Sequence, residues 1–196
     1  MTLHTGKILV TEFNPDSYLD DSVLRAGNVI IDAPYFTAYR DKRPPFHAGI
    51  IKPLPTKLIQ KIPEKISVDT LLVSSGTVVY TELNDKTGEA GVVPITRISG
   101  DISPIKNVSL TGLDILRIRL NGYLLDSAWL RLRTRESFLD TLSGFQITLR
   151  MRRGSLTYLN SFLPALASLR LQSGYLDTLN MRAVGQEYLA LGEMRM

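Results

Sequence analysis

The chain has no cysteine, two histidines and a single tryptophan in 196 residues. Without cysteine there is no disulfide framework and no thiolate chemistry, which suits a reducing compartment and equally an envelope protein that does without bridges. His4, near the start, and His47, in a proline-rich stretch, have no cysteine or carboxylate at ligand spacing, so no metal is expected. Phosphate-binding loops of the GxGxxG or GKS/GKT kind and the GxSxG nucleophile elbow are missing from the sequence. Carboxylates such as Asp69, Asp101, Asp114, Asp177 and Glu187 are scattered and read as solvated strand positions rather than a pair facing across a cleft. No enzymatic activity and no cofactor are expected. There is no run of about 18 apolar residues, and the opening MTLHTGKILVTEF lacks the basic head and unbroken apolar centre of an export signal. The net charge of +4 is mild and comes from interspersed arginine, which does not indicate a nucleic-acid partner.

What the sequence does have is period two, the spacing that puts alternate side chains on opposite faces of a sheet. Leu116, Ile118, Leu120 and Leu124 share one parity while Arg117, Arg119 and Asn121 take the other. Ala128, Leu130 and Leu132 alternate with Arg131, Arg133 and Arg135, and Phe145, Ile147, Leu149 and Met151 alternate with Gln146, Thr148, Arg150 and Arg152. Three neighbouring strands thus present the same amphipathic face. Asn121-Gly122 is a local hairpin signal, but Leu124 stays in phase with Leu120 only if the strand runs on, so the turn is placed near Asp126-Ser127 and Gly122 is read as a kink or bulge. Ser67 to Leu83 reads as strand, tight turn at Ser74-Ser75-Gly76, and strand. The terminal YLALGEMRM reads as a strand with nothing after it, which suggests a segment of a longer chain.

Helix signals are few. LPTKLIQKI is entered through Pro55-Thr56 and ended by Pro63; SLTYLNSFL has Ser155 as N-cap and Pro164 as stop. Each is about two turns long and needs tertiary packing to persist; together they can plug the ends of a long sheet but not blanket it. Asp41 to Pro55 reads as a linker, and Glu82 to Pro94 as a long hairpin tip. A weak echo links ISVDTLLVSSGTVVY with LASLRLQSGYLDTL, and RAGNVIIDAPYFTAYRD is a degenerate third copy, hinting at a repetitive sheet.

The expected fold is mainly β: one domain with an amphipathic antiparallel sheet curled into an open groove or flattened into a sandwich, and two short helices. Val68, Leu72, Leu116, Ile118, Leu120, Leu130, Leu132, Phe145, Ile147 and Leu149 are the candidate groove lining, or alternatively an ordinary dry core. Arg150, Arg152 and Arg153 in RMRRG are a candidate contact for a phosphate, a lipid headgroup or an acidic partner, or else a solvated edge that discourages strand-on-strand aggregation. Trp129, Tyr80 and Tyr123 read as cross-strand packing.

Several stretches, FTAYRDKR, PLPTKLIQKIPEKISVDTLLVSSGTVVYTELND, SFLDTLSGF and SLTYLNSFLPALASLRLQSGYLDTLNMRAVGQEYLALGEMRM, resemble the AsmA-like family of bacterial envelope proteins, in particular its Bacteroidota branch. LNSFLPALASLRLQSG carries most of the likeness. The resemblance implies a periplasmic protein anchored to the inner membrane through a segment outside this sequence. It further implies a curled sheet whose apolar side holds phospholipid acyl chains on their way between inner and outer membrane. Its partners would be those lipids, the remainder of the full-length chain and outer-membrane assembly proteins. The alternative from another class is a non-enzymatic β-sandwich used for protein interaction in envelope assembly.

Overall fold

The structure, a computed structural model, describes residues 1–44, 53–186 and 188–196. His47, most of the proline-rich linker and Glu187 therefore lie outside the described residues. The described chain is mainly β, and its strands form a single open sheet. In chain order these are β1 (Thr2–His4), β2 (Ile8–Thr11), α1 (Pro15–Asp21), β3 (Val23–Asp32), β4 (Tyr35–Asp41), α2 (Pro55–Gln60), β5 (Lys65–Leu83), β6 (Ala90–Ser103) and β7 (Ile105–Lys106). There follow β8 (Ile115–Leu124), β9 (Ala128–Ser137), β10 (Phe145–Ser155), a 3₁₀ segment (Leu156–Ser161), α3 (Leu163–Ala167), β11 (Tyr175–Gln186) and β12 (Leu189–Arg195).

Several short strands are halves of one ribbon. β3 and β4 both run parallel to β5, Asp32 beside Ser74 and Tyr35 beside Thr77, while β2 and β1 lie antiparallel along their outer edge. The sheet is thus nine ribbons wide, roughly 38 Å at the usual strand spacing. It departs from the antiparallel expectation at β3, β4 and β5. A parallel step needs a crossover of a dozen residues or more, and the chain between Asp41 and Lys65, with α2 in it, supplies that length.

Ser67 to Leu83 is not a hairpin: β5 is one strand of 19 residues. The Ser74-Ser75-Gly76 signal marks a bulge, with Ser75 at φ 55° and register breaks on either side of Gly76. The bulge is shared. Ala33 (φ 46°) occupies the same level in the β3–β4 ribbon and Arg97 (φ 51°) in β6, while Gly6 donates its N–H to Asp32 O between β1 and β2. These form a crease across four ribbons, with Ala33, Ser75 and Arg97 held in the left-handed region that a bulge requires. β8 carries no such residue and runs straight through Asn121-Gly122 to its turn at Leu125–Ser127, as the spacing of Leu120 and Leu124 requires. The echo between the Ser-Gly pairs does not correspond to a shared fold, because Ser173-Gly174 lies in the connection into β11 rather than inside a strand.

Both expected helices form at their expected places, with one correction. Ser155 caps its segment by accepting from Thr157 N at 3.3 Å, but the turn is 3₁₀, and Pro164 opens α3 instead of closing a helix. A Pro at the first helical turn loses no hydrogen bond, since that N–H has no intrahelical partner. α1 was not anticipated, although its signal is in Asn14-Pro15-Asp16-Ser17: Asn14 accepts from Ser17 N at 3.1 Å and Pro15 starts the turn. The hairpin tip is shorter than expected, residues 84–89, because β5 runs to Leu83 and β6 starts at Ala90.

Gly100 sits beside the crease at φ +149°, where a Cβ would lie 1.9 Å from Arg119 O. Gly100→Ala is expected to destabilise the fold by about 1–3 kcal/mol, whereas Gly112→Ala, in open space, stays within about 0.5 kcal/mol of wild type. Equal denaturation midpoints for the two variants would contradict the crease.

Candidate functional site: an apolar face and an arginine face

The registers join single residues of every ribbon into rows. One row runs Ile8, Ile31, Val73, Gly100, Leu120, Leu132, Leu149, Met181, Met194 across all nine. The next runs Val10, Val29, Leu71, Ile102, Ile118, Thr134, Ile147, Ala183, Gly192. Directly opposed residues share a face, so this is one continuous apolar surface. Leu116, Ile118, Leu120, Leu130, Leu132, Phe145, Ile147 and Leu149 all lie on it, as their alternation predicted.

Val68 and Leu72 do not. Leu72 is opposite Asp101, which is opposite Arg119, so it belongs to the reverse face, and Val68 shares its parity. Leu71 and Val73 take the positions expected of them. The reason is that β5 is apolar on both sides in this half, so alternation gives two sets and no means of choosing. Beyond the crease the parity changes: Val78 lies opposite Ile95 and Ile95 opposite Leu124, so even-numbered residues of β5 now share the apolar face. Val68 lines, with Val10 and Val29 of the second row and with Phe13, Leu24 and Ile66, an apolar hollow of about 450 Å³ beside β2 and β3. No sequence motif announced it.

The helices stand at the two ends of the apolar face. At one end α2 is tied down through Thr56 N, which donates to Glu136 Oε2 at 3.1 Å, and through Gln60 Nε2, which donates to Phe138 O at 2.7 Å. Glu136 is opposite Leu116 and Phe145, and Leu116 and Phe138 are wholly buried. At the other end Leu166 of α3 sits over Gly91, where a Cβ would meet its Cγ at 2.4 Å. Asn84 holds that position, its Nδ2 donating to Ala165 O and Leu166 O at 3.0 and 2.8 Å. Between the ends nothing described covers the rows. Val23, Ala26, Leu116, Ala128, Phe138, Met151 and Leu176 are the buried apolar residues, and most of the two rows is half-buried or exposed. This is neither a sandwich nor a dry core among the described residues.

Three polar atoms interrupt the burial. Thr134 Oγ1, in the second row, Thr56 Oγ1 and Tyr158 Oη have no hydrogen-bond partner among the described residues. Loss of water pushes the Tyr158 hydroxyl up, and it pushes the Glu136 carboxyl up against the opposing hydrogen bond from the Thr56 N–H.

The reverse face changes character along the sheet. In β2, β3 and β5 it carries Leu9, Ile30 and Leu72; from β8 onward it carries Arg117, Arg119, Arg131, Arg133, Arg135, Arg150, Arg152, Arg182 and Arg195. RMRRG is split by the pleat, for Arg153 alternates to the other face from Arg150 and Arg152. Among the described residues Asp101 and Glu193 are the strand carboxylates on this face from β6 to β12; Asp101 accepts a forked pair of bonds from Arg119 at 2.8–3.1 Å, and Glu193 pairs with Arg195 at 3.1 Å. Trp129 and Tyr123 form a cross-strand pair, as expected, and arginines also stack on them: Arg97 lies 3.7 Å from the Tyr123 centroid, and Arg131 and Arg152 lie 5.0 and 4.3 Å from Trp129. Asp114, before β8, has its pKa held at about 2 by Lys106 and the Thr111 N–H and hydroxyl.

Among the described residues no group of three His, Cys, Asp or Glu is placed to hold a metal ion, and no helix is long and apolar enough to cross a membrane. No family model, curated protein or solved structure matches the chain.

Because burial lifts the Glu136 pKa above its usual 4.5, the folded state keeps that proton more tightly than the unfolded one. Its contribution to stability is therefore greatest below the usual value and declines as pH rises through the raised one. Wild type should lose stability relative to Glu136→Gln as pH goes from about 4.5 to 8; a flat difference in unfolding free energy over that range would refute the burial of this carboxyl.

Proposed function

We propose that this chain is a lipid-handling segment of an envelope protein, in which phospholipid acyl chains lie against the apolar face while headgroups remain in water. The observation that carries the reading is the pair of apolar rows spanning nine ribbons, flanked along the strand direction by short helices, α2 on one side and α3 on the other, and uncovered between them. Patches of this extent are unusual on a free surface. An acyl chain laid there gains about 0.8 kcal/mol per buried CH₂. Such recognition needs continuous apolar area rather than a few fixed polar groups, consistent with a site that has no catalytic arrangement. The resemblance to AsmA-like proteins points the same way and suggests a periplasmic location, an inner-membrane anchor outside this sequence and transport between inner and outer membrane.

A second reading has its own observation. β12 is exposed along its length, and β1 and β2 form the opposite open edge, so either side presents unpaired backbone to a further strand. Strand addition there would serve an interaction module, or would join the sheet to the remainder of a longer chain or to an outer-membrane assembly protein.

Protein purified without detergent is expected to carry phospholipid detectable by native mass spectrometry. Ile118→Asp combined with Leu149→Asp should weaken binding of a fluorescent acyl probe by about tenfold or more, since an ionised carboxylate pays heavily against hydrocarbon. Leu72→Asp, on the reverse face, should leave it unchanged. Absence of co-purified lipid together with no probe binding by wild type would leave the strand-addition reading in place.

A further inference from the structure

On the reverse face Arg117 lies directly opposite Arg135, Arg119 opposite Arg133, and Arg131 opposite Arg150. Like charges directly across a sheet oppose folding. Asp101 relieves one of these six through Arg119, yet among the described residues no carboxylate pairs with Arg117, Arg133, Arg135 or Arg150. A solvated edge that only discourages aggregation needs one or two charges, on an edge strand. These pairs instead lie in β8, β9 and β10, inside the sheet. The chain sustains repulsion where packing does not ask for it, and an anion array brought from outside would remove it.

We propose that this arginine face docks on a bilayer surface bearing anionic phospholipid. The cations are spaced as the pleat dictates, about 7 Å along a strand and about 5 Å across, which gives a lattice of point contacts rather than a pocket for one ligand. The row containing Arg117 and Arg135 continues through Gln146 to Val184 and Leu191, which are 42% and 65% exposed. Cations bordered by exposed aliphatic side chains fit a headgroup layer with hydrocarbon beneath it. Single-stranded nucleic acid fits less well, because it uses free aromatic faces for stacking, and those of Trp129 and Tyr123 already carry arginines. The proposal concerns the face opposite the apolar rows and does not rest on the acyl-chain reading.

The test is vesicle flotation with phosphatidylcholine alone and with phosphatidylcholine containing phosphatidylglycerol, at low and high salt. The proteins compared are wild type, the triple variant R117Q/R133Q/R150Q, which removes one member of each opposed pair, and K86Q, which removes a cation from the exposed 84–89 hairpin tip. Wild type should float only with the anionic vesicles and be released by salt. The triple variant should bind on the order of a hundredfold more weakly, the effect of losing three basic residues at an anionic surface, while K86Q, whose lost charge lies at the exposed 84–89 hairpin tip off both faces, floats like wild type. Because repulsion has been relieved, the triple variant should melt at or above the wild-type temperature. The proposal is overturned if flotation ignores phosphatidylglycerol, if the triple variant floats as wild type does, or if it melts well below wild type, which would make these arginines part of the packing. Tighter binding to a duplex DNA oligonucleotide than to the anionic vesicles would overturn it as well.

Discussion

An extended sheet with one apolar face must have that face covered, and the helical segments of this chain are too short to cover it. α2 reaches one end through Thr56 and Gln60, and α3 reaches the other through Leu166 and the Asn84 bonds. Between them the middle of the face, nine ribbons wide, has no cover among the described residues. The scarcity of fully buried side chains and the reading of the apolar rows as a place for hydrocarbon both follow from this mismatch. A second sheet would have resolved it internally, and none is present among the described residues.

The crease adjusts the same surface. Left-handed residues at Ala33, Ser75 and Arg97 fall at one level in adjacent ribbons, each inserting the half-step that moves side chains from one face to the other. Without the parity change, the apolar residues of β4 and of the far half of β5 would lie on the reverse face. Phe36, Val78, Ile95 and Leu124 instead continue one surface. The cost of left-handed conformation at non-glycine positions is thereby offset by apolar continuity.

The two faces divide the chemistry. One is apolar along its two central rows, with Glu136 and Thr134 as buried exceptions near the α2 end and the buried Glu82, beside Arg40, near the α3 end. The other is apolar at β2, β3 and β5 and densely cationic from β8 on, with arginines opposed to arginines. Only apolar contact is asked of the first, while charge complementarity from outside suits the second.

The sequence by itself determined the class of fold, the shared parity of Leu116 to Leu149 and of the arginines between them, the uninterrupted run of β8 through Gly122, the cap at Ser155 and the inadequacy of the helices as a cover. These are properties of local alternation and local backbone chemistry, which a strand carries wherever it is placed. Tertiary structure alone decided that Leu71 and Val73, not Val68 and Leu72, face the apolar side, that β3 and β4 run parallel to β5, and that the Ser-Gly signal is a bulge rather than a turn. The physical reason is that which of two equally apolar parities faces which neighbour is set by hydrogen-bond register with strands distant in sequence. A left-handed residue inside a strand then shifts that parity in a way that alternation read along the chain does not reveal.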